Sequence, residues 1–294
     1  MKLLVTGATG FLGWRSSTLL AERGHEVIPL ARPGGARRAH SARLQAVRID
    51  AGDPGARDLI AGCDAVLHFA GVPDPGRARA DPTGAVRENV GTTVNLLAGC
   101  LEHGAGLIYP STVRAGLEPP PDVYALSKWL GEEACLRHPA LASVVRLTSV
   151  FGPGQVAWEG ATGAIAVFAA RALEEAPIVI PGNPRRTRDF VYVDDVITKL
   201  ERIALGGCRN ERLVVASGVG TPLLRAAELV RDALSSSSEI RTPARELPEG
   251  ENQSYESGPD SLGIGFQAGS LEEGIASYVD WLRRHPAAQG STRA

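Results

Sequence analysis

Two side chains in this sequence have the types and the spacing for proton chemistry. Tyr124 and Lys128 stand four residues apart, in a stretch that reads as a helix through Trp129-Leu130-Gly131-Glu132-Glu133. That spacing places both on one helical face. A free phenol has a pKa of about 10 and is a poor acid–base group at neutral pH. A lysine ammonium one turn away favours the phenolate and lowers that pKa, giving a donor and acceptor suited to interconverting a carbonyl and an alcohol. Thr112, following the apolar run Leu107-Ile108-Tyr109 and then Pro110-Ser111, can supply a second hydrogen bond to the same substrate oxygen. Tyr-x-x-x-Lys pairs also arise by chance in helices, so the weight falls on the segments that precede this one.

The first of these segments is the N-terminal one. Leu3-Leu4-Val5 has the form of a fully buried parallel strand. Gly7, Gly10 and Gly13 then recur every three residues, and Ser17–Arg23 reads as a helix closing at Gly24. Strand, glycine turn and helix together offer free N–H groups and a positive dipole end to a pyrophosphate. A glycine-rich turn without a ligand is the plain alternative. After the second strand, Glu26–Leu30, an acidic side chain would bind the ribose hydroxyls of NAD, and an arginine the extra phosphate of NADP. Here Ala31-Arg32 is followed by Arg37 and Arg38 without an acidic neighbour, which favours NADP(H) and leaves NAD as the alternative.

Strands and helices then alternate, which predicts an α/β fold, a doubly wound parallel sheet. Leu44–Ile49 reads as a third strand and runs into Asp50-Ala51-Gly52-Asp53; Ala65–Gly71 is a fourth, ending in small residues that let the chain pass close under a planar dinucleotide. Val72–Pro82 reads as an irregular loop, Val86–Leu101 as one long helix and Val144–Val150 as the sixth strand. Phe151-Gly152-Pro153-Gly154 marks a change of regime. Beyond it, Gly163–Glu175, Leu223–Leu234 and Ser270–Arg284 read as helices, Ile178–Ile180 and Leu213–Ala216 as strands, and Asp189–Asp195 as an alternating strand entering a helix. Asp194 or Asp195 suits that helix's N-cap. Ser235–Ser238 reads as a flexible connector, and the basic cluster Arg185, Arg186, Arg188 suits a phosphorylated substrate. Right-handed crossovers gather the strand ends on one edge, where a ligand should lie.

Composition narrows the class. The chain has 294 residues, 44% hydrophobic and 22% charged, with a formal net charge of -2. Such a balance argues against nucleic acid as the main partner. Cys63, Cys100, Cys135 and Cys208 show no CxxC spacing, which implies no metal site and reduced thiols. With no basic-then-apolar leader and no apolar run of membrane length, a cytoplasmic protein is expected.

Taken together, Thr6–Gly13, Asp50 with Asp53, His68–Gly71, Asn89–Thr92, Tyr124–Lys128, Val150–Gly154 and Arg188–Val196 resemble the extended short-chain dehydrogenase/reductase family, its nucleotide-sugar epimerase, dehydratase and ketoreductase type. The match covers nearly the whole chain. The resemblance implies a Rossmann-type NAD(P)-binding domain over 1–151, to which 189–217 returns, a smaller C-terminal substrate-binding domain over 152–286, and a disordered tail over 287–294. It implies Tyr124 as the catalytic acid–base, Lys128 as the residue that binds the nicotinamide ribose and tunes the tyrosine, and Thr112 as the partner of the reacting oxygen. Cofactor contacts are implied for Gly7, Thr9, Gly10, Phe11, Leu12, Gly13, Arg32, Asp50, Ala51, Phe69, Ala70, Gly71, Asn89, Tyr124, Lys128, Leu147, Ser149 and Val150. Asp50 and Ala51 would face the adenine. Substrate contacts are implied for Thr112, Val113, Ser149 and Arg188, with Arg188 on a substrate phosphate. A homodimer is the expected assembly.

Departures from the family pattern select among its reactions. Val113 and Arg114 stand where dehydratases of the family carry an acidic pair or at least a glutamate, which argues against dehydration. Ala31-Arg32 lacks the acidic residue common in epimerases, Ser149 stands where many members have asparagine, and a second phosphate-binding arginine is not identifiable, Arg241 and Arg245 being weak candidates. The leading expectation is an NADPH-dependent reductase of a keto-sugar nucleotide, a 4-ketoreductase of deoxysugar biosynthesis. An NAD-dependent nucleotide-sugar epimerase and a reductase of a nonsugar ketone or aldehyde are the alternatives. A noncatalytic nicotinamide sensor would not need the tyrosine–lysine pair.

Overall fold

The computed structural model describes residues 1–34, 44–244, 246–248, 251–255 and 268–284. Arg37, Arg38, Arg245 and the expected tail over 287–294 lie outside them. In chain order the elements are β1 (Lys2–Thr6), α1 (Phe11–Glu22), β2 (Glu26–Ala31), β3 (Val47–Arg48), β4 (Ala65–His68), α2 (Pro75–Ala80), α3 (Pro82–Val86), α4 (Thr92–His103), β5 (Gly106–Thr112), α5 (Val123–Arg137), β6 (Ala142–Leu147), β7 (Ser149–Phe151), α6 (Ala164–Leu173), β8 (Ile178–Val179), β9 (Thr187–Tyr192), α7 (Val193–Gly206), β10 (Glu211–Val215), β11 (Gly220–Pro222), α8 (Leu223–Leu234), β12 (Ile240–Arg241) and α9 (Leu271–Arg284).

Two compact units result, one of Met1–Leu147 with Ile197–Val215, the other of Thr148–Val196 with the chain from Ala216 onward. The first holds a seven-stranded sheet in the order β10-β6-β5-β4-β1-β2-β3, parallel throughout. This is the doubly wound Rossmann order, and the direction of winding reverses between β1 and β4. Leu3, Leu4, Val5, Val66, Leu67, Leu107 and Ile108 are fully buried, as strands covered by helices on both faces require. In the second unit Phe151, Phe168, Phe190, Val230, Ile275 and Tyr278 form a separate core, with β7 parallel to β9 and β11 antiparallel to it.

The structure corrects several boundaries. The expected sixth strand breaks at Thr148: β6 ends at Leu147, and Ser149–Phe151 bends away to pair with Phe190–Tyr192. The change of unit therefore falls at 147/148, where the motif reading has 151/152, and the returning segment is 197–215. Val72–Pro82 is not irregular, because Asp74 and Asp81 accept hydrogen bonds from Arg77 N and Gly84 N and start α2 and α3, each with proline in its first turn. The long helix over Val86–Leu101 is interrupted by a π-helical segment, Arg87–Gly91. Asp194 and Asp195 are the second and third residues of α7, in its first turn, so neither is the residue that precedes the helix. Ser235–Ser238 is a fixed turn: Ser237 donates from N (3.0 Å) and Oγ (2.7 Å) to Glu175 Oε2, and Ser238 is buried.

Candidate active site

Parallel topology brings the C-terminal ends of β1, β4 and β5 to one edge of the first unit's sheet. At β1 the chain turns with Gly7 at φ +64°. A Cβ there would lie 2.7 Å from the Phe69 carbonyl carbon and 2.8 Å from Ala70 N, and one on Gly13 would lie 2.3 Å from the Gly7 oxygen. Any side chain at either position would push β1, β4 and α1 apart. Gly10 caps α1 without a side-chain hydrogen bond, so the amides of Phe11 and Leu12 face outward with the positive end of the helix. This bare, tightly closed cradle fits the pyrophosphate of a dinucleotide.

A buried polar thread fixes the strand ends around the cradle. Ala70 N donates to Thr6 Oγ1 (3.1 Å), and the Thr6 hydroxyl meets His68 Nδ1 at 2.8 Å. His68 Nε2 meets Thr93 Oγ1 at 3.1 Å, and Thr93 Oγ1 donates to Asn89 O at 2.8 Å. Burial, reinforced by Lys128, pulls His68 down to about 3, so the ring is neutral. Because the one hydroxyl proton of Thr93 goes to Asn89 O, Thr93 accepts from Nε2–H, and Nδ1 of the neutral ring accepts from the Thr6 hydroxyl. Asn89 closes the far end: Oδ1 accepts from Val72 N (2.8 Å) and Nδ2 donates to Ser127 Oγ (2.9 Å). Ser127 in turn donates to the Tyr124 carbonyl at 2.8 Å. The Asn89 amide, implied at the cofactor, is thus engaged with Val72 and the helix that carries Tyr124.

Tyr124 is the second residue of α5, started by Asp122 through a 2.8 Å bond to Ala125 N. Its ring packs with Val123 against Val72, Ala78 and Ala85. Thr112 ends β5 and is buried, next to the Tyr124 phenol, whose ionised form it favours. The expected lowering of the tyrosine's pKa is corrected: burial pushes Tyr124 up to about 12, opposed first by Arg114 and also by Thr112, with Asp122 and Asp74 adding to the rise. Lys128 is turned elsewhere. Its Nζ donates to Pro110 O at 3.0 Å and lies 4.9 Å from the centroid of the Tyr109 ring. Burial pulls it down to about 8, against the opposing pull of Cys135 and Glu132. Tyr124 is therefore a protonated phenol at neutral pH.

The other implied residues are placed as follows. Arg32 follows β2, half-exposed, with NH1 3.7 Å from Glu88 Oε1; the acidic neighbour absent from the local sequence arrives from the π-helical segment. Asp50 Oδ1 accepts from Gly52 N at 2.8 Å, and the buried Ala51 accepts from Asn95 Nδ2 at 2.9 Å. Val113 opens a short 3-10 turn, Val113–Gly116, and Leu147 ends β6. Ser149, Val150 and Arg188 belong to the second unit, on β7 and β9. Arg188 is more occupied than a free phosphate ligand: it donates to Thr187 O (2.8 Å), Gln253 O (2.6 Å) and Glu251 O (3.2 Å) and lies 4.6 Å over the Tyr255 ring. The sequence reading gave no site role to His68, Ser127, Arg114 or Asp122, although His68 and Ser127 lie within the motifs His68–Gly71 and Tyr124–Lys128 and Asp122 is an acidic residue two before Tyr124 at a helix start.

The NAD dependent epimerase/dehydratase family model matches residues 3–205. The chain belongs to that family and is an NAD(P)-dependent enzyme of the extended short-chain dehydrogenase/reductase type. Among its relatives, UDP-glucose 4-epimerase of Mycolicibacterium smegmatis is 27% identical, over 96% of this chain and 99% of its own. The 2-alkyl-3-oxoalkanoate reductase of Stenotrophomonas maltophilia is 28% identical, over 80% of this chain and 75% of its own. The crystal structure of UDP-glucose 4-epimerase from Thermotoga maritima shares the fold, with a TM-score of 0.83 at 23% identity, covering 97% of this chain and 99% of that one.

Proposed function

We propose that the chain is an NADPH-dependent reductase of a keto-sugar nucleotide, acting as a 4-ketoreductase. The observation that carries this reading is the buried Thr112 beside the half-buried, protonated phenol of Tyr124, at the sheet edge that holds the glycine cradle. A reductase must give a proton to the carbonyl oxygen as hydride reaches its carbon, and a phenol held at about 12 starts in the donating form. Bound nicotinamide would supply the hydride. Phe11 and Leu12 amides would hold the pyrophosphate, Thr112 and Tyr124 the substrate oxygen, and Lys128 the ribose. Thr112 fixes the carbonyl and Tyr124, its ring packed against Val72, Ala78 and Ala85, passes its proton to the oxygen.

Homodimer formation and a cytoplasmic location belong to the same proposal. Val94 and Leu101 on α4 and Leu126 and Trp129 on α5 are exposed, which suits an apolar interface. All four cysteines are buried free thiols, as a reducing compartment allows.

A second reading, an NAD-dependent nucleotide-sugar epimerase, is favoured by Glu88 beside Arg32, which offsets the charge that a ribose phosphate would use. Arg32→Ala separates the two. For the NADPH enzyme it should weaken NADPH binding roughly ten- to a hundredfold and leave NADH almost unaffected, since a charge-assisted hydrogen bond contributes about 1.5–3 kcal/mol. Fluorescence titration with each cofactor reads this directly, and equal losses would make Arg32 structural. The sugar-nucleotide assignment has its own test. UDP or dTDP at about a hundred times its dissociation constant should stabilise the protein by about 2.7 kcal/mol and raise its melting temperature. No shift with either at millimolar concentration would transfer the assignment to a nonsugar ketone.

A further inference from the structure

We propose that Arg114 is a positioning residue of the proton-transfer site, clamping the start of α5 to the end of β5 and presenting a positive charge to Tyr124. The inference rests on the reading of Tyr124 as proton donor. Arg114 follows Thr112 by two residues, and its backbone N–H donates to Thr112 Oγ1 at 3.3 Å. Its guanidinium pairs with the Asp122 carboxylate, and both side chains keep only 13% of their surface exposed. Asp122 is itself the cap of α5, through Ala125 N at 2.8 Å, one residue before Val123 and two before Tyr124. One ion pair therefore bridges the two segments whose hydroxyls must meet a single substrate oxygen.

The charges around the phenol come from three elements. Arg114 stands on the 3-10 turn after β5, Asp122 at the cap of α5 and Asp74 at the cap of α2. Lys128, one turn along α5, is directed to Pro110 O and the face of Tyr109. Of the groups that act on Tyr124, Arg114 is the strongest one favouring its ionised form. Without it, two carboxylates would act on a half-buried phenol, and the oxyanion left after proton transfer would be disfavoured.

A direct test places difluorotyrosine, more acidic than tyrosine, at position 124 and follows its ionisation by fluorine NMR. Arg114→Gln should raise the midpoint by about one pH unit, the lower end of what an opposite charge at close range achieves. Asp122→Asn keeps a competent helix cap and should lower the midpoint. Arg114→Lys should return it toward the starting value. If Arg114→Gln does not fold, the sign of the Asp122→Asn shift decides by itself. Unchanged midpoints in the folded variants, with only the melting temperature lowered, would make the ion pair a structural staple and overturn the proposal. In the enzyme with ordinary tyrosine, the alkaline limb of kcat/KM should move in the same direction as the midpoint. Midpoints that move while that limb stays fixed would support the clamp and remove Tyr124 from the donor role.

Discussion

Tyr124→Phe should lower turnover by at least about a hundredfold, the lower end of what positioned acid–base catalysis contributes. The substitution removes one oxygen from a ring packed among Val72, Ala78, Ala85 and Val123, so the fold and the glycine cradle should be unaffected. Cofactor affinity should change little, because the outward amides of α1 and the bare Gly7–Gly13 turn do not depend on the phenol. Steady-state kinetics beside a cofactor titration separates the two effects. Turnover within a few-fold of the unmutated enzyme would remove Tyr124 from the chemistry.

The largest stability effect is expected at Glu132, a fully buried carboxylate away from the reacting groups. Its Oε1 accepts from Ser111 Oγ (2.6 Å) and Arg146 Nε (2.9 Å), and its Oε2 from Arg146 NH2 (2.7 Å) and Arg212 Nε (2.8 Å). One side chain on α5 thereby holds β5, β6 and β10. Glu132→Ala leaves two guanidinium groups without their shared anion, and breaking a buried ion pair in this way costs about 3–5 kcal/mol. Arg212 keeps 33% of its side chain exposed and can rehydrate, which places the expected loss near the lower end. Even that is a large share of the roughly 5–15 kcal/mol that separates folded from unfolded domains. Denaturant unfolding of the variant measures it, and a loss below about 1 kcal/mol would show that water replaces the carboxylate.

The sheet and the cradle were legible because their signals are local. Leu3-Leu4-Val5 is a buried-strand run, and Gly7 and Gly13 are glycine because a Cβ at either would strike backbone. The spacing of Tyr124 and Lys128 placed both on α5, but it could not show where the ammonium points. Its target, Pro110 O, lies 18 residues away in sequence. For the same reason Glu88 beside Arg32 and the ties of Arg188 to 251–255 were hidden: they depend on contacts across long sequence separations. The break at Thr148 was hidden because Val144–Val150 is uniformly β-forming, and only the choice of partner strand divides it. The caps Asp74 and Asp81 were readable in principle, each preceding a proline, but the prolines and arginines around them dominated the reading as loop.

The place of β10 in the sheet has a consequence for how the polypeptide is made. β6 pairs with β5 on one side, and on the other only with Glu211–Val215, which the ribosome adds more than sixty residues later. Until then a nascent chain carries β6 as an open edge, and Glu132 lacks the arginine that β10 delivers. Domains ordinarily fold as units, N-terminal first, during synthesis. Here the N-terminal unit cannot finish until the intervening segment, Thr148–Val196, has been made. The cofactor cradle, formed by β1, β4 and α1, needs none of that later chain, so its own elements are all made before the sheet can close.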